Sequence, residues 1–245
     1  MRQVPKYLII GSGRVARHMS HYFSLLKIKK YTGWDRSQPL ELLHKQAADA
    51  THILVAIKDA AIEPFLDEHL AHYGVIKIHF SGSLVTKKAH GAHPLMTFGP
   101  EIYTLEKYLG IPFVVDAKAP SWKILFPHLH NPNVRLSAAD KAKYHALCVM
   151  AGNFSCLLWQ KLFDSLHDEF KIPPHTADMY LRQQTENLLG NYKTALTGPL
   201  ARGDHETIKK NLKALDGDPF QSVYQAFVKA YSFKQLDKIR EKKAS

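Results

Sequence analysis

Cysteine is scarce in this chain. Two occur among 245 residues, Cys148 and Cys156, which excludes a disulfide-stapled scaffold. They share one apolar helical stretch, too far apart along it to bridge, and are expected as reduced core residues of a cytoplasmic protein. Long apolar runs are missing too. None approaches the ~20 residues of a membrane span. The longest, 145–163, contains Asn153, Gln160 and Lys161 and reads as a buried or interface helix, so no membrane partner is expected. Residues 1–6 lead straight to an apolar strand, leaving no room for a signal peptide. Zinc-finger spacing and aromatic RNA-binding motifs are absent, and nucleic acid is not an expected partner. The 15 histidines are scattered. His90 and His93, or His128 and His130, have no third ligand at workable spacing, and no metal is expected. Acid is short: 22 Asp and Glu stand against 33 Lys and Arg, a net charge of +11. The lysines are dispersed except for one cluster at 238–243. Such a surface suits an anionic cofactor and substrate.

What is present is concentrated near the N-terminus. Tyr7-Leu8-Ile9-Ile10 reads as a buried parallel strand. It stops at Gly11-Ser12-Gly13-Arg14-Val15-Ala16, a G-x-G-x-x-A turn. Apolar residues then fall at Val15, Met19, Tyr22, Phe23 and Leu26, which is helical spacing. Strand, glycine turn and helix in this order form the context that a dinucleotide fingerprint requires. Gly11 permits the tight turn, Gly13 lets backbone approach a pyrophosphate, and Ala16 lets the helix pack close. The helix N-terminus offers free N–H groups to the anion. About 20 residues on, the second strand ends at Trp34-Asp35-Arg36-Ser37. Asp35 could accept from ribose hydroxyls, which suits NAD. Arg36 and Ser37 could hold a 2′-phosphate, which suits NADP. The Arg-Ser pair, with Arg14 as a second cation, favours NADP over NAD. The alternative is a solvated turn with an internal Asp–Arg pair.

Strand and helix signals alternate through the first half, with strands at 51–57, 75–80, 111–116 and 133–136 and a helix at 59–73 capped by Asp59. This predicts an α/β fold: a Rossmann-type, doubly wound parallel sheet with helices on both faces. Past Ser137 strand signals stop. The segment 138–170 is apolar-periodic, Pro173-Pro174 breaks it, and further helices follow. The expected division is 1–138, a dinucleotide-binding domain, and 139–245, an all-α domain. Ligands of open α/β sheets bind beyond the carboxyl ends of the strands. Ala56-Ile57-Lys58 and Ser81-Gly82 should therefore join the glycine turn, with a cleft between domains as the reaction site.

Several segments carry a resemblance. His79-Phe80-Ser81-Gly82, Ala92 to Phe98, Lys143-Tyr144-His145-Ala146 and Ala195 to Asp204 occur in this order. Together they resemble a bacterial family that joins a Rossmann-like NADP-binding domain to a helical domain of unknown function (the DUF2520 type). More distantly, the layout is similar to ketopantoate reductase, pyrroline-5-carboxylate reductase and the β-hydroxyacid dehydrogenases. The resemblance implies hydride transfer between NADP(H) and a small anionic keto, imino or hydroxy acid, and a homodimer built through the helical domain. A non-catalytic dinucleotide sensor or scaffold is the alternative.

Reduction of a ketone or imine needs a proton donor near the hydride acceptor. Lys141, His145, Cys148 and Gly152 share a helix face, with Asn153 beside it. Lys141 or His145 is a candidate acid, with Asn153 orienting substrate. The competing readings are a solvated first turn for Lys141 or Lys143 and a core hydrogen bond for Asn153. His93 precedes Pro94 and is expected in an extended or turn segment, either as a proton donor titrating near neutrality or as a pin for its loop. Ser81 either contacts cofactor or caps the segment after it. Arg202 either pairs with a substrate carboxylate or forms a structural bridge, and Asp204 is expected to cap the helix that follows.

Overall fold

The computed structural model describes residues 4–244, with side chains to residue 232. The basic cluster at 238–243 lies outside the described side chains. The chain divides into two compact units, Met1–Trp159 and Gln160–Ser245. The boundary expected at 138 lies inside the first, just past its last strand.

The first unit alternates strand and helix: β1 (Tyr7–Ile10), α1 (Arg14–Leu25), β2 (Tyr31–Trp34), α2 (Leu40–Asp49), β3 (His52–Val55), α3 (Asp59–Phe65), β4 (Ile76–His79) and β5 (His90–Pro94). Then come α4 (Leu105–Leu109), β6 (Phe113–Asp116), α5 (Trp122–Leu125), β7 (Asn133–Leu136) and α6 (Lys141–Val149). The strands form one sheet in the order β2-β1-β3-β4-β5-β6-β7. From β1 the chain steps to β2 on one side and then crosses to β3 on the other. Their carboxyl ends therefore open a crevice at this switch point. The short, wholly apolar β1 is buried throughout, as suits a strand inside a sheet covered on both faces. Period-two alternation sends Ile9, Leu54 and Ile78 to one core with Ala16, Met19, Tyr22 and Phe23 of α1. Leu8, Ile10, Ile53 and Val55 face the other, under Leu43 and Ala47 of α2 and Ile62 of α3. Each such side chain contributes about 1.5–3 kcal/mol of burial.

The helix begun by α6 continues through a π turn, Met150–Phe154, into α7 (Ser155–Asp168), which enters the second unit. In that unit the double proline opens a 3-10 turn, Pro174–Ala177. It is followed by α8 (Asp178–Asn191), α9 (Pro199–Arg202), α10 (His205–Ala214) and α11 (Phe220–Ala244). Asp204 caps α10 as expected, accepting from the Thr207 amide at 3.0 Å and the Thr207 hydroxyl at 2.8 Å. The Lys161 ammonium holds Asp218 at 2.6 Å.

Several expectations are corrected. The sheet is not wholly parallel, because β5 and β6 run antiparallel. His93 consequently lies on a strand rather than in a loop. His90-Gly91-Ala92-His93-Pro94 carries no branched aliphatic residue, so its sequence gives no strand signal. The helix expected over 59–73 is α3 continued by a π turn, Leu66–Leu70, and Lys58 rather than Asp59 occupies its cap. Cys156 is exposed and Cys148 only half-buried, so neither is a core residue. Finally, Lys141–Asp168 is one helix of 28 residues whose most apolar window has a mean hydropathy of 1.2. By length and composition alone it could cross a membrane. Its first turn, however, is fixed to the sheet through Lys141.

Candidate functional site

A cavity of about 760 Å³ opens at the β1/β3 switch point. Three sequence-predicted segments meet in it: the glycine turn, the end of β2, and Ala56-Ile57-Lys58 after β3. Phe80 and Ser81, beyond β4, complete one end. Ser37 is not among its lining residues, and Gly82 faces elsewhere.

Gly11 makes the turn possible. Its φ is +118° and its amide donates to the Trp34 carbonyl at 2.8 Å. A Cβ there would lie 2.4 Å from the Ala56 carbonyl oxygen, inside contact distance. Only glycine allows β1 to leave the sheet so close to β3. Gly13 differs: a Cβ on it would meet nothing within 4 Å, so its missing side chain leaves the cavity clear. Gly13 is also the N-cap of α1, with no side chain capping that helix and no acid in its first turn. The amides that open α1 are thus left for an anion. Ala16 is buried against the core.

The end of β2 forms a tight turn. The Trp34 indole donates to the Pro39 carbonyl at 3.0 Å. Asp35 accepts from the Ser37 amide at 2.8 Å and from the Ser37 hydroxyl at 2.6 Å. These bonds, rather than the neighbouring Arg36 charge, chiefly hold the Asp35 carboxyl below the usual carboxylate range. Asp35 is therefore committed to Ser37, and the internal pairing joins Asp to Ser instead of Asp to Arg. Arg36 is exposed, lines the cavity and forms no ion pair among the described residues.

At the opposite end, Ser81 is buried. Its hydroxyl donates to the Asp59 carboxylate and accepts from the Leu84 amide at 3.0 Å. Ser81 thus caps the segment after it and also lines the cavity. Gly82 packs against two histidines: a Cβ there would lie 2.4 Å from His145 Cδ2 and 3.2 Å from His93 Cδ2. The two imidazoles stand edge to face, with centroids 5.8 Å apart. His93 Nδ1 and the Tyr144 hydroxyl share a hydrogen bond of 2.9 Å. Burial, helped by His145, pushes the His93 pKa down to about 4. His93 is therefore neutral at pH 7, which corrects the expectation of a donor titrating near neutrality. Burial, with the Cys148 thiol as the next cause, raises the Tyr144 pKa above its ordinary value, and the phenol keeps its proton. Sequence reading passed over Tyr144. Its position beside His145 and three residues from Lys141 was the available signal.

Lys141 is not solvated. It is 5% exposed, and its ammonium reaches Asp116 Oδ1 at 2.6 Å. The Gly91 amide donates to Asp116 Oδ2 at 2.5 Å. This pair sits over Gly91, where a Cβ would meet Lys141 Nζ at 2.6 Å. Lys143 is exposed. Asn153 lies in the π turn, exposed, and does not join the His93–Tyr144 pair. Next to Gly91 in the sheet stands His79, fully buried, with no hydrogen bond to either ring nitrogen. Its pKa is pushed down to about 4, first by burial and then by Lys141. Arg202 is exposed at the end of α9.

Comparison with solved structures gives the same architecture. A Bacteroides fragilis protein provisionally named an NADP oxidoreductase superposes with a TM-score of 0.73 at 18% identity, covering 93% of this chain and 97% of that one. A reductive aminase from Aspergillus terreus, in complex with NADPH4, cyclohexanone and allyl amine, gives 0.56 at 16% identity over 91% and 88%. Pyrroline carboxylate reductase of Plasmodium falciparum, with NADP bound, gives 0.56 at 13% identity over 94% and 97%. At these identities the likeness is one of fold. No curated protein matches the sequence. Residues 111–231 match the domain of unknown function DUF2520, a span that runs from β6 of the Rossmann-type sheet into α11.

Proposed function

We propose that the protein is an NADP(H)-dependent oxidoreductase acting on a small anionic keto, imino or hydroxy acid. The observation that carries this reading is the uncapped glycine turn at the switch point. Gly11 is fixed there by its φ and by the Ala56 carbonyl. The cradle fits a dinucleotide: open space at Gly13, free amides at the start of α1, and the unpaired Arg36 cation where a 2′-phosphate would need one. Of the three solved neighbours described above, one is provisionally named an NADP oxidoreductase, and the reductive aminase and the pyrroline carboxylate reductase are complexed with NADPH4 and NADP.

Bound there, NADPH would supply the hydride. The chain's own residues supply position and the proton. Arg36 and Arg14 offset phosphate charge, and the α1 amides hold the diphosphate. Tyr144 is the best placed proton donor, since its phenol stays protonated and is oriented by His93 at 2.9 Å. His145 packs against Gly82, the residue after the cavity-lining Ser81. Lys141 is committed to Asp116 and acts on packing.

Titration with NADPH and NADH tests the reading. Wild type should prefer NADPH, and Arg36→Ala should lose about tenfold or more of that preference, the size expected for a charge-assisted phosphate contact. An unchanged preference removes the Arg36 role, and absence of binding removes the proposal. The engagement of Lys141 favours a second reading, a dinucleotide sensor without chemistry. Tight NADPH binding with no oxidation of the bound nucleotide by a keto-acid and imine panel would select it. We also propose that the protein is cytoplasmic and forms a homodimer through the helical part; the dimer is supported by apolar side chains left exposed on α8 and at its C-cap, Met179, Tyr180, Leu188, Leu189 and Tyr192.

A further inference from the structure

A cavity built for a diphosphate also holds a carboxylate at one end. Asp59 lines it beside Phe80 and Ser81. Its Oδ2 accepts from the Ser81 hydroxyl and lies 3.5 Å from the Ser83 hydroxyl. Among the described residues no cation forms an ion pair with it, and its chain neighbour Lys58 is exposed. A carboxylate facing a polyanion weakens binding unless it meets a positive part of the ligand. In a nicotinamide dinucleotide that part is the ring, which is cationic when oxidised and neutral when reduced.

Strand order fixes which end Asp59 occupies. Trp34–Arg36 lies beyond β2, the glycine turn beyond β1, and Ser81 beyond β4. Asp59 is therefore on the far side of the glycine turn from Arg36. With a 2′-phosphate on Arg36 and the diphosphate on α1, the nicotinamide end falls beside Asp59 and Ser81. The field of this carboxylate already reaches inward, since it opposes the downward pKa shifts of both His79 and His93.

We propose that Asp59 discriminates between the two redox states of the nucleotide, strengthening the hold on the oxidised, cationic ring relative to the reduced one. The inference rests on the dinucleotide reading above. The test is measurement of the dissociation constants of NADP⁺ and NADPH, by calorimetry and by nicotinamide fluorescence, for wild type, Asp59→Asn and Asp59→Glu. Both nucleotides sample the same folded fraction, so their ratio is insensitive to partial unfolding. Asp59→Asn should weaken NADP⁺ relative to NADPH by about fivefold to tenfold, while Asp59→Glu keeps the ratio within about twofold of wild type. An unchanged ratio in Asp59→Asn, or a glutamate variant that behaves like the asparagine one, overturns the proposal and leaves dinucleotide binding intact. A wild type that binds neither nucleotide overturns both.

Discussion

Single residues decide most of this site. Gly11 combines a left-handed φ with a carbonyl where a side chain would begin. Gly11→Ala should cost about 1–3 kcal/mol for the conformation alone and abolish nucleotide binding, as read by denaturant unfolding and fluorescence titration. The motif made this glycine legible in advance, because the physical demand on it is local. His79 and His93 were illegible in the same way. Their folded pKa values of about 4 come from burial between elements distant in sequence. Both lie below the ordinary histidine value of 6.5, so the unfolded chain binds protons more readily than the folded one. The stability they confer is complete above pH 6.5 and is lost as pH falls toward 4. Urea unfolding across pH 4–7 should show uptake of about two protons on unfolding in that window, and His79→Leu should remove about one of them.

At the scale of elements, α6 is tied to the sheet by a charge pair. Lys141 is enclosed by Asp116 on β6 and by Gly91 on β5. Lys141→Met would leave the carboxylate without its cation and should destabilise the fold by about 3 kcal/mol, measured by chemical denaturation, while leaving the spectrum of bound nucleotide unchanged. Helical spacing put Lys141 and His145 on one face, and the structure agrees. It did not reveal that the same face would neutralise the lysine, since Asp116 lies 25 residues away on a strand. The strands β1, β3, β4, β6 and β7 were readable from apolar runs or branched residues. β5 was not, because its two histidines and glycine answer to what packs over them rather than to strand propensity.

For the molecule as a whole, the apolar side chains left in solvent matter most. Leu189 is 83% exposed, and Met179 and Tyr192 are each at least 70% exposed. Bare patches of this kind mark contact surfaces. Sedimentation of the intact chain should give twice the monomer mass, and Leu189→Asp combined with Met179→Lys should shift it toward monomer without loss of helicity by circular dichroism. The π turn at Met150–Phe154 has a separate consequence. A wider turn lodges the equivalent of one additional residue between the stretch that grips the sheet and the stretch that runs on into the second unit. Removing one residue there would close the ladder into ordinary helix and leave the side chains of α7 in their present phase, because the wide turn already absorbs the extra residue. The wide turn is thus a place where this helix tolerates the gain or loss of one residue without re-aiming the side chains that follow.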